Sequence, residues 1–192
     1  MANKRLGMVI DLRRCTGCKA CAVACKSENE VPLGGFRATV NETEKGAYPK
    51  VKKYFLPRLC NHCQNPPCVP VCPTGATYKR EDGPVLINYD KCIKCGRCVK
   101  ACPYNARFMN PESGYANKCT FCAHRVDNGV VPACVNTCMA RARIFGDLAD
   151  PNSEAAQLAA SNEVQVLKPE AGTKPEVYYV SPGVNLNQEK FQ

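Results

Sequence analysis

The segment from Cys60 to Cys102 constrains the fold of this chain more than any other, because it concentrates eight cysteines in two quartets. The quartets are Cys60, Cys63, Cys68, Cys72 and Cys92, Cys95, Cys98, Cys102. The second has the spacing C-x2-C-x2-C-x3-C, and the first differs only by a wider step between its second and third members. In bacterial ferredoxins this spacing supplies three ligands to one [4Fe-4S] cluster and sends the fourth cysteine to another. The segment is therefore predicted to be a two-cluster ferredoxin core.

The gaps between these cysteines have a physical basis. Two-residue gaps let a tight loop wrap three thiolates around one cube of iron and sulfide. The final gap of three places Cys98 and Cys102 at positions i and i+4, on one face of a helix and about 6 Å apart along its axis. One thiolate can then close the near cluster while the other reaches the next. Pro73 and Pro103 follow the fourth cysteines and end the short helices predicted there.

Two further quartets flank this core. They are Cys15, Cys18, Cys21, Cys25 and Cys119, Cys122, Cys134, Cys138. The first repeats the spacing of the Cys92 quartet, whereas the last has a gap of eleven between its middle members. Proline follows the fourth cysteine only in the central pair, which leaves the first and fourth quartets to pair with each other. The sequence thus predicts one two-cluster unit nested inside another.

The predicted fold class is α+β, with two nested ferredoxin-like units built from short β-hairpins and one-turn helices. Residues 1–30 and 115–150 would form the outer unit, and residues 60–114 the inner unit. Residues 31–59 would be an inserted extended segment, and residues 151–192 a C-terminal extension. Asp82-Gly83 marks a hairpin turn between residues 75–78 and 85–87. Ala106-Arg107-Phe108 and Ala142-Arg143-Ile144 repeat the small residue and short strand that follow the second quartet.

Several other elements are predicted from local patterns. Leu6 to Leu12 has the apolar content of a strand, and alternation in residues 37–42 and 51–56 indicates a hairpin or paired extended segments. Residues 151–160 suit a helix capped by Ser153. Strands are expected at residues 164–167 and 177–180. The polar tail beyond Pro182 is expected to be ordered only against a partner.

Disulfides and zinc are the rival explanations of the sixteen cysteines. Disulfides suit secreted chains, but these cysteines form compact quartets with ligand spacing. Structural zinc sites use two separated pairs, whereas three quartets here crowd three cysteines into seven or nine residues. His62 and His124 are not needed as ligands, because every quartet already has four cysteines. No nucleophile constellation, Walker loop or dinucleotide fingerprint is present, which argues against a catalytic subunit and against a direct small-molecule substrate.

The formal charge of +9 would ordinarily suggest nucleic acid or an anionic membrane surface. A thiolate-ligated [4Fe-4S] cluster carries about −2 when oxidised, so four clusters bring the loaded protein to about +1. We therefore expect no nucleic-acid partner. Lys19, Lys94 and Arg97, which lie among the quartets, are candidate counter-charges or plain surface residues.

We expect neither a membrane span nor an export signal in this sequence. No apolar run approaches the roughly 18 residues that span a bilayer. Lys4-Arg5 is not followed by an apolar stretch, and neither is Arg13-Arg14, so we expect neither a secretory nor a twin-arginine signal.

With all four quartets in view, the chain resembles the four-cluster iron-sulfur subunits of the molybdopterin oxidoreductase (dimethyl sulfoxide reductase) family. The resemblance covers residues 6 to 182 and rests on the quartets and three segments, LCNHC at 59–63, CVPVCPTGA at 68–76 and KCTFC at 118–122. The segments ENEVP at 28–32, KPE at 168–170 and GTKP at 172–175 make it most similar to the polysulfide and thiosulfate reductase branch.

The resemblance implies a ligand set for each cluster, and because Cys95 is present it implies four [4Fe-4S] clusters with no three-iron cluster. Cluster 1 would be bound by Cys15, Cys18, Cys21 and Cys138, and cluster 2 by Cys25, Cys119, Cys122 and Cys134. Cluster 3 would be bound by Cys60, Cys63, Cys68 and Cys102, and cluster 4 by Cys72, Cys92, Cys95 and Cys98.

The function implied by the resemblance is electron transfer without bond-making. An integral-membrane quinol-oxidising subunit would deliver electrons, and a molybdenum bis(molybdopterin guanine dinucleotide) catalytic subunit would receive them. The chain would be peripheral on the membrane through these partners, on the periplasmic face if exported with a signal-bearing catalytic subunit, or on the cytoplasmic face. The alternatives are a polyferredoxin-like subunit of a formate dehydrogenase or hydrogenase complex, and a zinc-organised interaction module.

Overall fold

A computed structural model of the chain describes residues 4–181 and 183–191. Ten strands are found: β1 (Leu6–Asp11), β2 (Ala38–Lys45), β3 (Lys52–Leu59), β4 (Thr77–Lys79), β5 (Val85–Ile87), β6 (Arg107–Met109), β7 (Ala116–Lys118), β8 (Arg143–Asp147), β9 (Val164–Gln165) and β10 (Val177–Val180). The α-helices are α1 (Ala20–Glu28), α2 (Arg97–Lys100), α3 (Ala123–Val126), α4 (Ala133–Asn136) and α5 (Glu154–Ser161), and a 3-10 helix covers Pro169–Ala171. The mixture of short strands and helices agrees with the predicted α+β class.

A four-stranded sheet with the order β8-β1-β10-β9 is the largest sheet. Every residue of β1 is buried, as its apolar sequence predicts for a strand covered on both faces. Met8 and Ile10 belong to the main core, whereas Val9 packs on the other face beneath α5. Strand β1 runs antiparallel to β8 and parallel to β10, so that Met8 lies opposite both Phe145 and Val177.

Three two-stranded sheets confirm the hairpins predicted from alternation and turn residues. Strands β2 and β3 pair antiparallel from Ala38 opposite Leu59 to Lys45 opposite Lys52. Strands β4 and β5 pair on either side of the Asp82-Gly83 turn, and β6 pairs with β7. The strand predicted after Cys138 also forms, as β8, but it pairs with β1 rather than with a following strand.

Helices form at three quartets, but the predicted placement of Cys98 and Cys102 on one helix is wrong, because α2 ends at Lys100. Helix α1 continues past Cys25 to Glu28, where no proline follows the fourth cysteine, while α2 and α4 are single turns, as predicted. The helix predicted for the second quartet is wrong, because residues 67–71 form turns. Prolines lack the N–H that an α-helix needs, and three of them (Pro66, Pro67 and Pro70) stand in or beside this segment.

The region predicted as a C-terminal extension is part of the core. It supplies α5 and the strands β9 and β10 of the largest sheet. The helix begins at Glu154 with Ser153 as its N-cap residue, although no side-chain capping hydrogen bond is formed. The expectation for the tail is wrong within 183–191, where Val184 and Leu186 are buried in the main core because they are apolar residues in a polar run. Residues 1–3, 182 and 192 lie outside the described residues.

Within residues 4–181 and 183–191, no helix has the length and apolar character needed to cross a bilayer.

Candidate metal centres

The loops that carry the four quartets share one backbone feature. The residue immediately before the second cysteine has a left-handed conformation in every quartet, with φ of 71° at Gly17, 44° at His62, 59° at Lys94 and 54° at Phe121. Left-handed residues cost free energy unless they are glycine, and such strain is found where a loop must enclose a ligand. The second cysteine of every quartet therefore follows the same left-handed residue.

The first and fourth quartets together line a cavity of about 230 Å³. Its cysteines are Cys15, Cys18, Cys21 and Cys138. Cys21 lies in the first turn of α1, and Cys138 follows α4, whose packing against α1 brings the two quartets together. Cys18 is exposed and Cys21 is buried, so this cavity reaches the surface. Its four thiols are those of the set predicted for cluster 1.

A second, narrower cavity lies deeper and is lined by Cys25, Cys119, Cys122 and Cys134, the set predicted for cluster 2. All four are buried. The side-chain amide of Asn29 donates to the sulfurs of Cys25 and Cys122 at 3.8 and 3.7 Å. Burial, followed by the neighbouring thiols, raises the pKa of Cys25 to about 12. Burial also holds the pKa of Cys119 well above its ordinary value.

The cysteines predicted for cluster 3 lie next to this group. Cys60, Cys63 and Cys68 are buried, and Cys102 is half-buried. Burial raises the pKa of Cys63 to about 11. Burial likewise raises the pKa of Cys68, to which the fields of Cys60 and Cys102 add. The structure therefore brings Cys68 near members of both the second and the third quartets.

The cysteines predicted for cluster 4 are nearer the surface. Cys98 lies in α2 and is buried, Cys72 and Cys92 are half-buried, and Cys95 is exposed. Burial opposes ionisation of Cys72, but hydrogen bonds from Thr77 and Thr74 outweigh it and lower the pKa of this thiol. The Thr77 amide lies 3.4 Å from the Cys72 sulfur. The grouping of Cys72 with the third quartet stays a prediction.

Buried cations among the thiols indicate what these centres must hold. Arg143 is 3% exposed, and its Nη1 donates to the sulfur of Cys134 at 3.7 Å and to that of Met8 at 3.8 Å. Its Nη2 has no hydrogen-bond partner among the described residues. A buried charge is costly unless an anion compensates it. A cluster ligated by four thiolates is such an anion, so the donor set and its surroundings fit a [4Fe-4S] cluster.

The candidate counter-charges named from the sequence are not the buried ones. Lys19, Lys94 and Arg97 are exposed. The buried cations near the thiols are Arg107, Lys118 and Arg143, at 4%, 1% and 3% exposure. The recurrence of Ala-Arg after the third and fourth quartets was the sequence signal that could have identified the two arginines.

The two histidines occupy different environments. His62 is fully buried, and its Nδ1 accepts a hydrogen bond from the Val85 amide at 3.0 Å. Burial, aided by the Lys118 charge, lowers the pKa of His62 well below its usual value, so the ring is neutral. His124 lies at the surface and pairs with Glu28 at 2.8 Å. Each ring thus has one protein partner, and the buried Nε2 of His62 has none among the described residues.

Comparison with known proteins identifies the domain family to which this chain belongs. Two models of the 4Fe-4S dicluster domain family match the chain, over residues 51–148 and over residues 14–76. Together with the sixteen cysteines, the two dicluster domains account for four [4Fe-4S] clusters.

Subunits of reductases are among the most similar relatives. The B subunit of tetrathionate reductase from Salmonella typhimurium is 52% identical over 180 residues, which cover 92% of this chain and 72% of the relative. The B subunit of selenate reductase from Mesobacillus selenatarsenatis is 45% identical over 207 residues, covering 91% and 71%. The arsenate respiratory reductase iron-sulfur subunit of a Shewanella species is 40% identical over 224 residues, covering 92% and 96%.

Proposed function

Because the chain belongs to the iron-sulfur subunits of the molybdopterin oxidoreductase family, we propose that it conducts electrons between a membrane quinol-oxidising subunit and a molybdopterin catalytic subunit. Each [4Fe-4S] cluster, when bound, accepts and releases one electron at a time. The chain supplies the ligands, the spacing and the electrostatic surroundings, and catalysis belongs to the partner subunit.

The ligand sets are the structural part of this proposal. Clusters 1 and 2 would be held by the outer unit, residues 1–30 and 115–150, and clusters 3 and 4 by the inner unit, residues 60–114. The observation that carries the proposal is that two separate cavities are lined by Cys15, Cys18, Cys21, Cys138 and by Cys25, Cys119, Cys122, Cys134. Each of these cavities mixes cysteines of the first and fourth quartets in the way that nested ferredoxin units require.

A linear order of clusters follows from burial and proximity. The exposed cysteines, Cys18 and Cys95, belong to the sets proposed for clusters 1 and 4, whereas cluster 2 has only buried cysteines. Cys134 is close enough to Cys21 for the two to interact electrostatically, which places cluster 2 beside cluster 1. Cys119 is likewise close enough to Cys60 for an electrostatic interaction, which places cluster 2 beside cluster 3. The proposed path therefore runs 1, 2, 3, 4, with both ends at the surface.

We further propose the partners and the location. Several relatives are named as subunits of reductases, and two of them are named for tetrathionate reductase. This favours a sulfur compound as the terminal electron acceptor, such as polysulfide, thiosulfate or tetrathionate. The catalytic partner would carry a bis(molybdopterin guanine dinucleotide) cofactor. An integral-membrane quinol subunit would hold the chain at the membrane, on the periplasmic face if the catalytic subunit is exported.

The experiment that tests the function is anaerobic purification of the native complex through a tag on this chain. We expect molybdenum, about sixteen irons per copy, as four [4Fe-4S] clusters require, and a membrane subunit identified by mass. Iron without molybdenum or a membrane partner would instead indicate a polyferredoxin-like carrier, and zinc in place of iron would refute the cluster assignment.

A ligand variant tests the path itself. Cys98→Ala should remove or convert one cluster and block quinol-linked turnover, because Cys98 is a proposed ligand of cluster 4. Val99→Ala, at the next position of α2, is the matched control and should keep both iron content and turnover. Unchanged iron and turnover in Cys98→Ala would contradict the proposed path.

A further inference from the structure

Arg107 and Arg143 occupy equivalent places in the two proposed units. Each stands five residues after the fourth cysteine of its quartet, Cys102 or Cys138, and each is the first residue of a strand, β6 or β8. Both side chains are buried, at 4% and 3% exposure. Guanidinium groups do not lose their charge in proteins. Each unit therefore encloses one permanent positive charge at the same point of its repeat.

Each arginine lies between cysteines assigned to different clusters. The Nη1 of Arg143 is 3.7 Å from the Cys134 sulfur, and Cys21 also lies near this guanidinium. These are proposed ligands of clusters 2 and 1. The Nη2 of Arg107 donates to the Cys68 sulfur at 3.0 Å, and Cys98 also lies near this guanidinium. These are proposed ligands of clusters 3 and 4.

Lys118 fills the corresponding place between the two units. It is the last residue of β7 and is 1% exposed. Its Nζ donates to the carbonyl oxygens of Val85 and Cys119, the latter at 2.7 Å. Burial lowers the pKa of Lys118, and the nearby Cys60 and Cys119, proposed ligands of clusters 3 and 2, oppose this shift.

We propose that Arg143, Lys118 and Arg107 form a ladder of buried cations, one between each pair of successive clusters, that raises the reduction potentials of the clusters on either side. The inference rests on the ligand sets of the proposed function. Reduction adds a negative charge to an already anionic cluster, and an adjacent cation in a poorly polarisable interior stabilises the added electron. The same cation weakens the repulsion between neighbouring clusters, so that an electron on one cluster opposes less strongly the arrival of an electron on the next.

The test is a redox titration of the purified full complex, followed by electron paramagnetic resonance, in two single variants. Arg143→Gln should lower the potentials of clusters 1 and 2 only, and Arg107→Gln those of clusters 3 and 4 only. We expect at least a tenfold loss in each reduction equilibrium, which corresponds to about 59 mV for one electron. Arg143→Lys and Arg107→Lys keep the charge and should restore most of the shift.

Arg141→Gln is the matched control. It removes the same charge two residues from Arg143, but Arg141 is exposed, with 74% of its side chain in solvent, where water screens it. The cluster reduction potentials of Arg141→Gln should equal those of the unaltered protein. A merely structural role of the arginines would not produce shifts confined to one unit and reversed by lysine.

Iron counts separate failure of this inference from failure of the proposed function. About sixteen irons per chain with unshifted potentials in the glutamine variants would overturn the ladder and leave the four-cluster function intact. If either glutamine variant fails to load iron, the other glutamine variant still tests the ladder. Lys118→Met provides a further test, because it should lower the potentials of clusters 2 and 3. Loss of iron in all three, with full loading in the lysine variants, would assign the cations to cluster assembly and overturn their role in potential.

Discussion

The imidazole of His62 is stacked on the phenyl ring of Phe121, with ring centroids 3.7 Å apart and planes at 21° to each other. These residues hold the same position in their quartets, immediately before the second cysteine, and both are left-handed. One quartet belongs to the proposed inner unit and the other to the outer. Phe121 also meets Phe145 of β8 edge-on at 5.2 Å. The stack therefore joins the two units where their cluster loops meet.

Replacing Phe121 by leucine should destabilise the protein by about 1 kcal/mol, because an aromatic pair contributes that much beyond its buried area. Leucine keeps the site apolar but cannot stack on His62. The measurement is the temperature at which visible cluster absorbance is lost, under anaerobic conditions and at a fixed heating rate. Phe36→Leu, at a ring that is 52% exposed, is the control. Equal shifts in the two variants would show that the stack has no special weight.

Gly17 should tolerate substitution worse than Gly96. Both are left-handed, with φ of 71° and 69°, so alanine costs about 1–2 kcal/mol of backbone strain at either site. At Gly17, however, an added Cβ would lie 2.3 Å from the Phe55 ring, whereas at Gly96 its nearest neighbour is the Met109 sulfur at 3.7 Å. Gly17→Ala should therefore lose cluster 1 on mild heating before Gly96→Ala loses cluster 4. Iron counted after a fixed incubation measures this, and the reverse order would contradict the structure.

Glu176 should make stability depend on pH. Its carboxylate is fully buried, neither oxygen has a hydrogen-bond partner among the described residues, and Arg5 approaches only to 3.6 Å. Burial raises the pKa of Glu176 above 4.5, against the weaker effect of the nearby cations. Above that pH the unfolded chain loses the proton more readily than the folded one, so stability falls as pH rises through the folded pKa.

Glu176→Gln should remove this loss and stabilise the protein by about 1 kcal/mol at neutral pH, the scale of a buried group without a partner. The gain should shrink as the pH falls toward the pKa of Glu176 in the folded protein. Thermal loss of cluster absorbance, measured at several pH values, gives both quantities. Glu170→Gln alters an exposed glutamate of the same segment and should change little at any pH. A gain for Glu176→Gln that does not vary with pH would exclude ionisation as its cause.

Cysteine exposure predicts the order in which oxidative damage proceeds. Cys18 and Cys95 are exposed, whereas the proposed ligands of cluster 2 are all buried. After brief oxidation, a thiol-alkylating reagent should label Cys18 and Cys95 first and Cys119 and Cys134 last, because released thiols react only where the reagent reaches them. Mass spectrometry of peptides at successive times measures the order. Simultaneous labelling of all sixteen cysteines would indicate that the protein unfolds globally and does not lose clusters 1 and 4 first.

Local patterns in the sequence were sufficient for the hairpins and for the chemistry of the centres. The spacing of cysteines determines how many thiolates one loop can present, so the quartets identify a cluster protein without any knowledge of packing. Alternation and the Asp82-Gly83 turn likewise determine β4 and β5, because the paired residues are close in sequence. The helix predicted at the second quartet failed for an equally local reason, the prolines at 66, 67 and 70.

The pairing of β1 with β10, the stack of His62 on Phe121 and the burial of Arg107, Lys118 and Arg143 were decided only by the tertiary structure. Met8 and Val177 are neighbours in the sheet but lie at opposite ends of the chain, and no periodicity connects them. A charged side chain is ordinarily predicted to be exposed, as Lys19, Lys94 and Arg97 are. Which cations are enclosed depends on where the folded quartets leave anionic space, and that space exists only after distant segments have come together.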